Sequence, residues 1–379
     1  MSQVALLDPM WGQLCSHFIR QAQLPSAPVS ISVDELGCSL GTHIGSKRRR
    51  NEDRCTVAKI EIPGVCVYSL AMVCDGVGGS KRGDEAASMA CGSAIWFVSS
   101  QRTYVRPTDL IDPLVRVIDD IIRESLLGAG LTTLTLLLSS DRGDYAITSV
   151  GDSRIYSWDV GSDLIQLLDD ETIENELKNL KIGDAAFLRD RGLQGSLSQA
   201  LGENNRSSND LNIRIVTANQ VPPGGFLLAS DGIWKQSEDA FQKVTKNSAN
   251  SLEVVRRTIV SAQWLGGLDN ATAICIKDPA TFCSVMDGIL PRSLCLTVWT
   301  PSGAIKIIDR SASQSNVVEL ESVPLGGSSS KEVKGTKKAS RRSGRKDKAV
   351  KKSDGQMSLV EPEDGKKVDR EIYVEPGDN

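Results

Sequence analysis

The chain has 379 residues, 40% apolar and 24% charged, with a net charge of −4 and only two histidines, His17 and His43. Two imidazoles 26 positions apart exclude His-x-x-x-His zinc sites, and apolar runs such as 65–74 fall well short of the roughly 18 residues a spanning helix needs. Nine cysteines, odd in number and without a Cys-x-x-Cys pair, read as reduced and buried, so a cytoplasmic protein with no signal peptide and no membrane contact is expected.

At the N-terminus Leu7, Trp11, Leu14 and Phe18 share one helical stripe that Pro25 and Pro28 end, which predicts a helical extension over 1–28 packed on the parent domain. Residues 53–75 read as two strands, RCTVAKIEI and VCVYSLAMVC, joined at Pro63–Gly64. Apolar stripes predict helices over 84–99 and 112–127. Four strands follow, LTTLTLLLS, YAITSV, RIYSW and DLIQLL, separated by DRGD, GDS and DVGS. Turns this short imply antiparallel neighbours, because a parallel crossover needs a dozen or more residues.

A mixed-charge helix over 170–190 leads to LSQALG. Then come IRIVTA, GFLLAS, a helix near 251–265 and the strand ATAICIK. Strands in runs with helices grouped between them predict an α+β domain over 29–279 with antiparallel sheets. Residues 280–324 add a hairpin, LCLTVWT–PSG–AIKIID. Within the tail, 331–352 carries eleven Lys/Arg against two acids, whereas 353–379 carries eight acids against three bases, leaving 1–330 at −8. So little apolar surface predicts disorder over 325–379. The basic block reads as a solvated tether; nucleic-acid contact is expected only through it, if anywhere.

The acids sit at strand ends. Asp75 follows SLAMVC and precedes Gly76, Asp231 follows GFLLAS, and Asp152 lies in Gly-Asp-Ser. Asp269 precedes Asn270 and ATAICIK; Glu52 and Asp53 precede RCTVAKI. Any one of these is ordinary turn chemistry. Five such places, if gathered by the fold, repel by about 4 kcal/mol per close pair at an effective dielectric near 20. Something positive must hold them together. Oxygen donors without His or Cys favour Mg²⁺ or Mn²⁺. Lys47–Arg50 directly precedes Asn51-Glu52-Asp53, and a guanidinium fork beside such ions suits a phosphate.

In order, RRRNEDR, VCDGVGG, GDSR, LASDGIW and LDNATAI resemble the metal-dependent protein phosphatases (the PPM or type 2C serine/threonine phosphatases), most closely the bacterial branch. GDEAASMA, GLTTLTL and LSQALG are further landmarks, and the resemblance spans roughly residues 38–278. It implies an antiparallel β-sandwich of two sheets flanked by helices, in α-β-β-α layers, with two metal ions at one end. It also implies that Asp75 bridges both ions, that Gly76 offers its carbonyl, and that Glu52 holds one ion while Asp231 and Asp269 hold the other. Asp53 belongs to the same ligand set. Arg48 would hold the substrate phosphate, and Asp152 with Asp231 a weaker third ion. Asn270 and Thr272 would shape the turn, and 170–195 would be a flap beside the site. Where many eukaryotic members carry a histidine in the glycine loop this chain has Val77, so a metal-bound water is expected to protonate the leaving oxygen.

The function so implied is hydrolysis of phosphoserine and phosphothreonine in proteins, opposing a kinase, by metal-activated hydroxide without a covalent intermediate. The alternative is an inactive phosphatase-like regulatory or binding module.

Overall fold

In the computed structural model, which describes residues 8–21, 28–181, 188, 193, 195–283, 291–309 and 319–323, the apolar strand runs pair into two antiparallel sheets. The strands are β1 (Val29–Val33), β2 (Cys38–His43), β3 (Arg54–Ile62), β4 (Cys66–Cys74), β5 (Leu134–Ser140), β6 (Tyr145–Val150) and β7 (Arg154–Trp158). They continue with β8 (Ile165–Gln166), β9 (Ile215–Thr217), β10 (Gly225–Ala229), β11 (Ala271–Ile276), β12 (Leu294–Thr300), β13 (Gly303–Asp309) and β14 (Glu319–Val323). One sheet runs β1-β2-β11-β10-β7-β8 and the other β14-β13-β12-β3-β4-β5-β6-β9. The described residues belong to one compact unit, 1–326; the tail expected to be disordered lies outside them.

The two-residue period of a strand divides the apolar side chains between two layers. On β5, Leu137 enters the core between the sheets, where it meets Val57, Val73, Ile155, Phe226 and Ile274, while Leu136 and Leu138 face the helices. The run CVYSLAMVC is uninterrupted because both faces of β4 are covered. On the outer face of the eight-stranded sheet lie α1 (Pro9–Arg20), α2 (Gly83–Ser99) and α3 (Pro107–Leu126). A third core joins the six-stranded sheet to α5 (Asp231–Trp234), α6 (Glu238–Lys246) and α7 (Ser251–Trp264); the shorter α4 (Ile173–Leu180) precedes these. The layers are α-β-β-α, the expected fold class. Among the described residues no helix is long and apolar enough to cross a membrane.

Asp8 caps α1 by accepting from Met10 N at 2.8 Å, and Pro9 suits the first helical turn. Trp11, Leu14, Cys15 and Phe18 are buried, with Trp11 Nε1 donating to Ser93 Oγ of α2 at 2.9 Å. Leu7 lies outside the described residues.

Several elements differ from the sequence reading. α3 starts at Pro107 rather than 112, and Pro113 sits inside it. Pro113 and Asp109 are both exposed, so the carbonyl left without its N–H partner can reach water. Strands β1 and β2 were not in the sequence reading: VSISV of β1 does alternate, whereas β2 shows no alternation because all six residues of CSLGTH are buried regardless of polarity. The strand expected over DLIQLL shrinks to two residues. Residues 151–153 do not make a hairpin: β7 pairs with β10, so the chain there steps from one sheet to the other. The hairpin expected in 280–324 is β12 with β13, and β12 pairs with β3 (Val298 opposite Ala58), continuing the eight-stranded sheet.

Candidate active site

The strand registers place the acids at one end of the sandwich. The start of β3 pairs with the end of β4 (Arg54 with Cys74), so Glu52–Asp53 and Asp75 leave the sheet together. In the other sheet the end of β10 pairs with the starts of β7 and β11 (Ala229 with Arg154 and with Ala273), which brings Ser230–Asp231 beside Asp152 and Asp269. The step between sheets at 151–153 is what lifts Asp152 to this rim.

The loops are fixed by hydrogen bonds that only small polar residues can make. Thr133 Oγ1 receives Asp75 N at 3.0 Å and meets Ser153 Oγ at 2.8 Å, tying the end of β4 to the start of β7. Asn270 accepts from Glu52 N at 2.8 Å and donates to the carbonyls of Ile44 (2.7 Å) and Arg50 (3.0 Å). It therefore laces the Arg48–Asp53 loop to β11. Thr272 Oγ1 meets Thr42 Oγ1 at 2.7 Å, a shaping role of the kind expected for both residues. Gly232 is needed for contact: a Cβ there would lie 1.9 Å from the Asn270 carbonyl oxygen. The guanidinium of Arg54 is buried and donates to Phe18 O (2.9 Å), Ser88 Oγ (3.0 Å), Asn51 O (2.9 Å) and Asp53 O (2.7 Å), joining α1, α2 and the acidic loop.

A cavity of about 200 Å³ opens at this end, lined by Arg48, Asp75, Val77, Gly78, Thr133, Asp152, Gly195, Leu197, Asp231, Lys235 and Asp269. Its size suits a compact polar group rather than a drug-sized ligand. A larger groove of about 530 Å³ between α6 and α7 has no carboxylate or histidine on its walls, so size alone does not select the site.

Asp53 and Asp231 are buried, and each has one carboxylate oxygen, Oδ1, with no hydrogen-bond partner among the described residues. Asp53 Oδ2 accepts from Ser230 Oγ at 2.8 Å. Burial first, and then the charges of Asp269 and Asp231, push the Asp53 carboxyl up to about 7. Asp75 rises well above the usual carboxylate range through burial and the facing charges of Asp53, Asp231, Asp152 and Asp269. Asp152 is pushed up to about 6 by burial and Asp231, against the pull of Lys235.

Two cations balance this charge. Arg48 Nη2 donates to Asp269 Oδ2 at 2.5 Å; its guanidinium lies against Gly78, where a Cβ would come within 3.0 Å of Nη1. Lys235 Nζ is 2.7 Å from Asp231 Oδ2 and 3.4 Å from Asp152 Oδ2. Among the described residues no three acidic, His or Cys side chains stand close enough together to grip an ion.

Of the residues singled out in the sequence, Arg48, Asp75, Asp152, Asp231 and Asp269 line the cavity; Asp53 does not line it but is close enough for its charge to act on Asp75, and the Gly76 backbone bridges to Thr132. Glu52 stands at the margin: like Asp53 it does not line the cavity, but unlike Asp53 it is only half-buried, and the charges that act on it most are those of Asp84, Arg48, Arg50 and Asp269. Part of the expected flap, 182–187, lies outside the described residues. Lys235 was missed. Its signal was present in DGIWK, where a lysine four residues after Asp231 lies on the same helical face.

Comparison with known proteins agrees with the fold. The family profile for protein phosphatase 2C matches residues 41–267. No curated protein sequence matches the chain significantly. Among solved structures, the PPM Ser-Thr phosphatase MsPP from Mycobacterium smegmatis, determined with cacodylate, is 25% identical with a TM-score of 0.50, over 64% of this chain and 98% of its own. The serine/threonine phosphatase Stp1 from Staphylococcus aureus is 18% identical with a TM-score of 0.54, over 65% and 96%. That of S. agalactiae is 20% identical with a TM-score of 0.53, over 64% and 99%.

Proposed function

The chain belongs to the protein phosphatase 2C family of protein serine/threonine phosphatases, and from that premise we propose that it removes phosphate from phosphoserine and phosphothreonine by metal-assisted attack of water, with no phosphoenzyme. The observation that carries this reading is Asp75 facing four other carboxylates across a small cavity, two of which keep a buried oxygen without a protein partner. A buried carboxylate oxygen left unpaired is costly, and an all-oxygen donor set fits a hard divalent cation. Mg²⁺ or Mn²⁺, two ions in all, would be held by Glu52, Asp53, Asp75, the Gly76 carbonyl, Asp231 and Asp269. When bound, such ions lower the pKa of water and neutralise developing charge on phosphoryl oxygens.

The chain's own groups do the rest. Arg48 turns from Asp269 to the phosphate, whose two oxygens match its fork. Thr133 and Asn270 hold the backbone of Asp75 and Glu52 in place. Thr133 is the one hydroxyl lining the cavity among the described residues, and it is already engaged; no cysteine or histidine lines it, which supports direct attack by water. Val77 has no proton to give. His43 is buried, accepting from Gly45 N at 2.7 Å through Nδ1, so protonation of the leaving oxygen falls to water. An inactive module would be expected to have lost a carboxylate of this set, and none is missing.

The substrates are phosphoproteins supplied by an opposing serine/threonine kinase. All nine cysteines are buried free thiols, which supports a reducing, cytoplasmic setting. Nucleic-acid contact, if any, is assigned to the basic block 331–352. The test is phosphate release from a phosphothreonine peptide with Mn²⁺. EDTA, Asp75→Asn or Asp231→Asn should each abolish it, and activity that survives them would overturn the reading.

A further inference from the structure

We propose that Lys235 is a built-in counter-cation. It occupies, between Asp152 and Asp231, the seat that the family resemblance would give to a weaker third ion, so this chain works with two ions and a fixed ammonium. The inference rests on the two-ion reading above and concerns what lies beside that pair.

Three observations carry it. The ammonium contacts one oxygen of each acid, Asp231 Oδ2 at 2.7 Å and Asp152 Oδ2 at 3.4 Å. Asp231 thereby divides its work: Oδ2 faces Lys235, while Oδ1 is buried with no partner and remains for the ion pair. Finally, the lysine is delivered by a held segment. Trp234, next to it, lies under the Arg154 guanidinium at 3.3 Å, and Arg154 is itself fixed by two 2.8 Å bonds to Asp170.

A divalent ion entering between Asp152 and Asp231 would have to displace a cation tethered four residues from one of its own ligands. Displacement costs two charge-assisted hydrogen bonds, and the half-exposed ammonium, tethered to the chain, stays at a high effective concentration beside both acids. Asp152 is then a positioning residue for Lys235 rather than a metal ligand.

The experiment counts Mn²⁺ per chain by equilibrium dialysis of the full-length protein up to millimolar Mn²⁺, with circular dichroism on every variant. Wild type should saturate at two ions, and Asp152→Asn should stay at two. Lys235→Asp should gain a third, and Lys235→Met, which keeps the stem without the charge, should gain one more weakly. A third ion on wild type, the loss of an ion in Asp152→Asn, or an unchanged count of two in both Lys235 variants would overturn the proposal. Fewer than two ions on wild type would instead overturn the two-ion reading, so the two failures are distinguishable.

Discussion

Two buried acidic regions of this molecule are built on opposite principles. Asp119 of α3 is fully buried, and its oxygens are all spoken for. Oδ1 accepts from Gly202 N at 2.8 Å and from Arg206 Nη2 at 3.2 Å, and Oδ2 from Arg206 Nη1 at 3.1 Å. At the rim of the sandwich, Asp53 and Asp231 are nearly as buried, yet each keeps one oxygen without a partner, and three further carboxylates face them. The first arrangement holds a loop against a helix. The second gathers facing carboxylates that Arg48 and Lys235 only partly offset and leaves two buried oxygens unpaired, a difference that burial by itself does not reveal.

The contrast breaks most sharply at Asp75. Asp75→Asn should lower turnover on the order of 10³-fold, since metal-assisted charge stabilisation supplies several kcal/mol and each 1.36 kcal/mol is about tenfold. Its chemical stability curve, measured in EDTA, should not fall, because a repelling charge is gone. Asp119→Ala should do the reverse. It should cost roughly 3–5 kcal/mol of stability by urea unfolding, toward the lower end because Arg206 keeps Glu203, with turnover per folded molecule unchanged.

A pH series sharpens the comparison further. In the folded protein Asp75 lies well above the usual range, Asp53 near 7 and Asp152 near 6, all above their unfolded values near 4. The folded state therefore holds more protons between about 4 and 7, so stability in EDTA is highest at the low end and is lost as pH rises through that window. The melting temperature in EDTA should climb by several degrees as pH falls from 7.5 to 5.5, at about 2–4 °C per kcal/mol. Saturating Mn²⁺ should abolish that trend. The smallest effect belongs to Glu52, at the margin: Glu52→Gln should cost about tenfold in turnover or less, against a larger loss for Asp53→Asn, on the same phosphopeptide assay.

Much of this was legible in the sequence. Periodicity exposed β4, α2 and α7, and acids at strand mouths pointed to Asp75, Asp231 and Asp269 without any coordinates. What could not be read has physical reasons. The polar, fully buried β2 shows no alternation because both of its faces are covered, one by α7 and the other by the facing sheet. The Gly-Asp-Ser turn looks like a hairpin locally, and only the register with β10 reveals the step between sheets. Lys235 stood in plain view four residues after Asp231, but its meaning depends on Asp152, 83 positions away in the chain. Likewise, Glu52 and Asp53 are neighbours in sequence, and only the folded chain shows that one is half-buried and the other buried.

The most direct test of the shared cation site is electron paramagnetic resonance of the Mn²⁺-loaded protein. Two ions held by one carboxylate set should give an exchange-coupled dimanganese spectrum that Asp75→Asn removes. Isolated, uncoupled Mn²⁺ signals that are indifferent to Asp75 would contradict it.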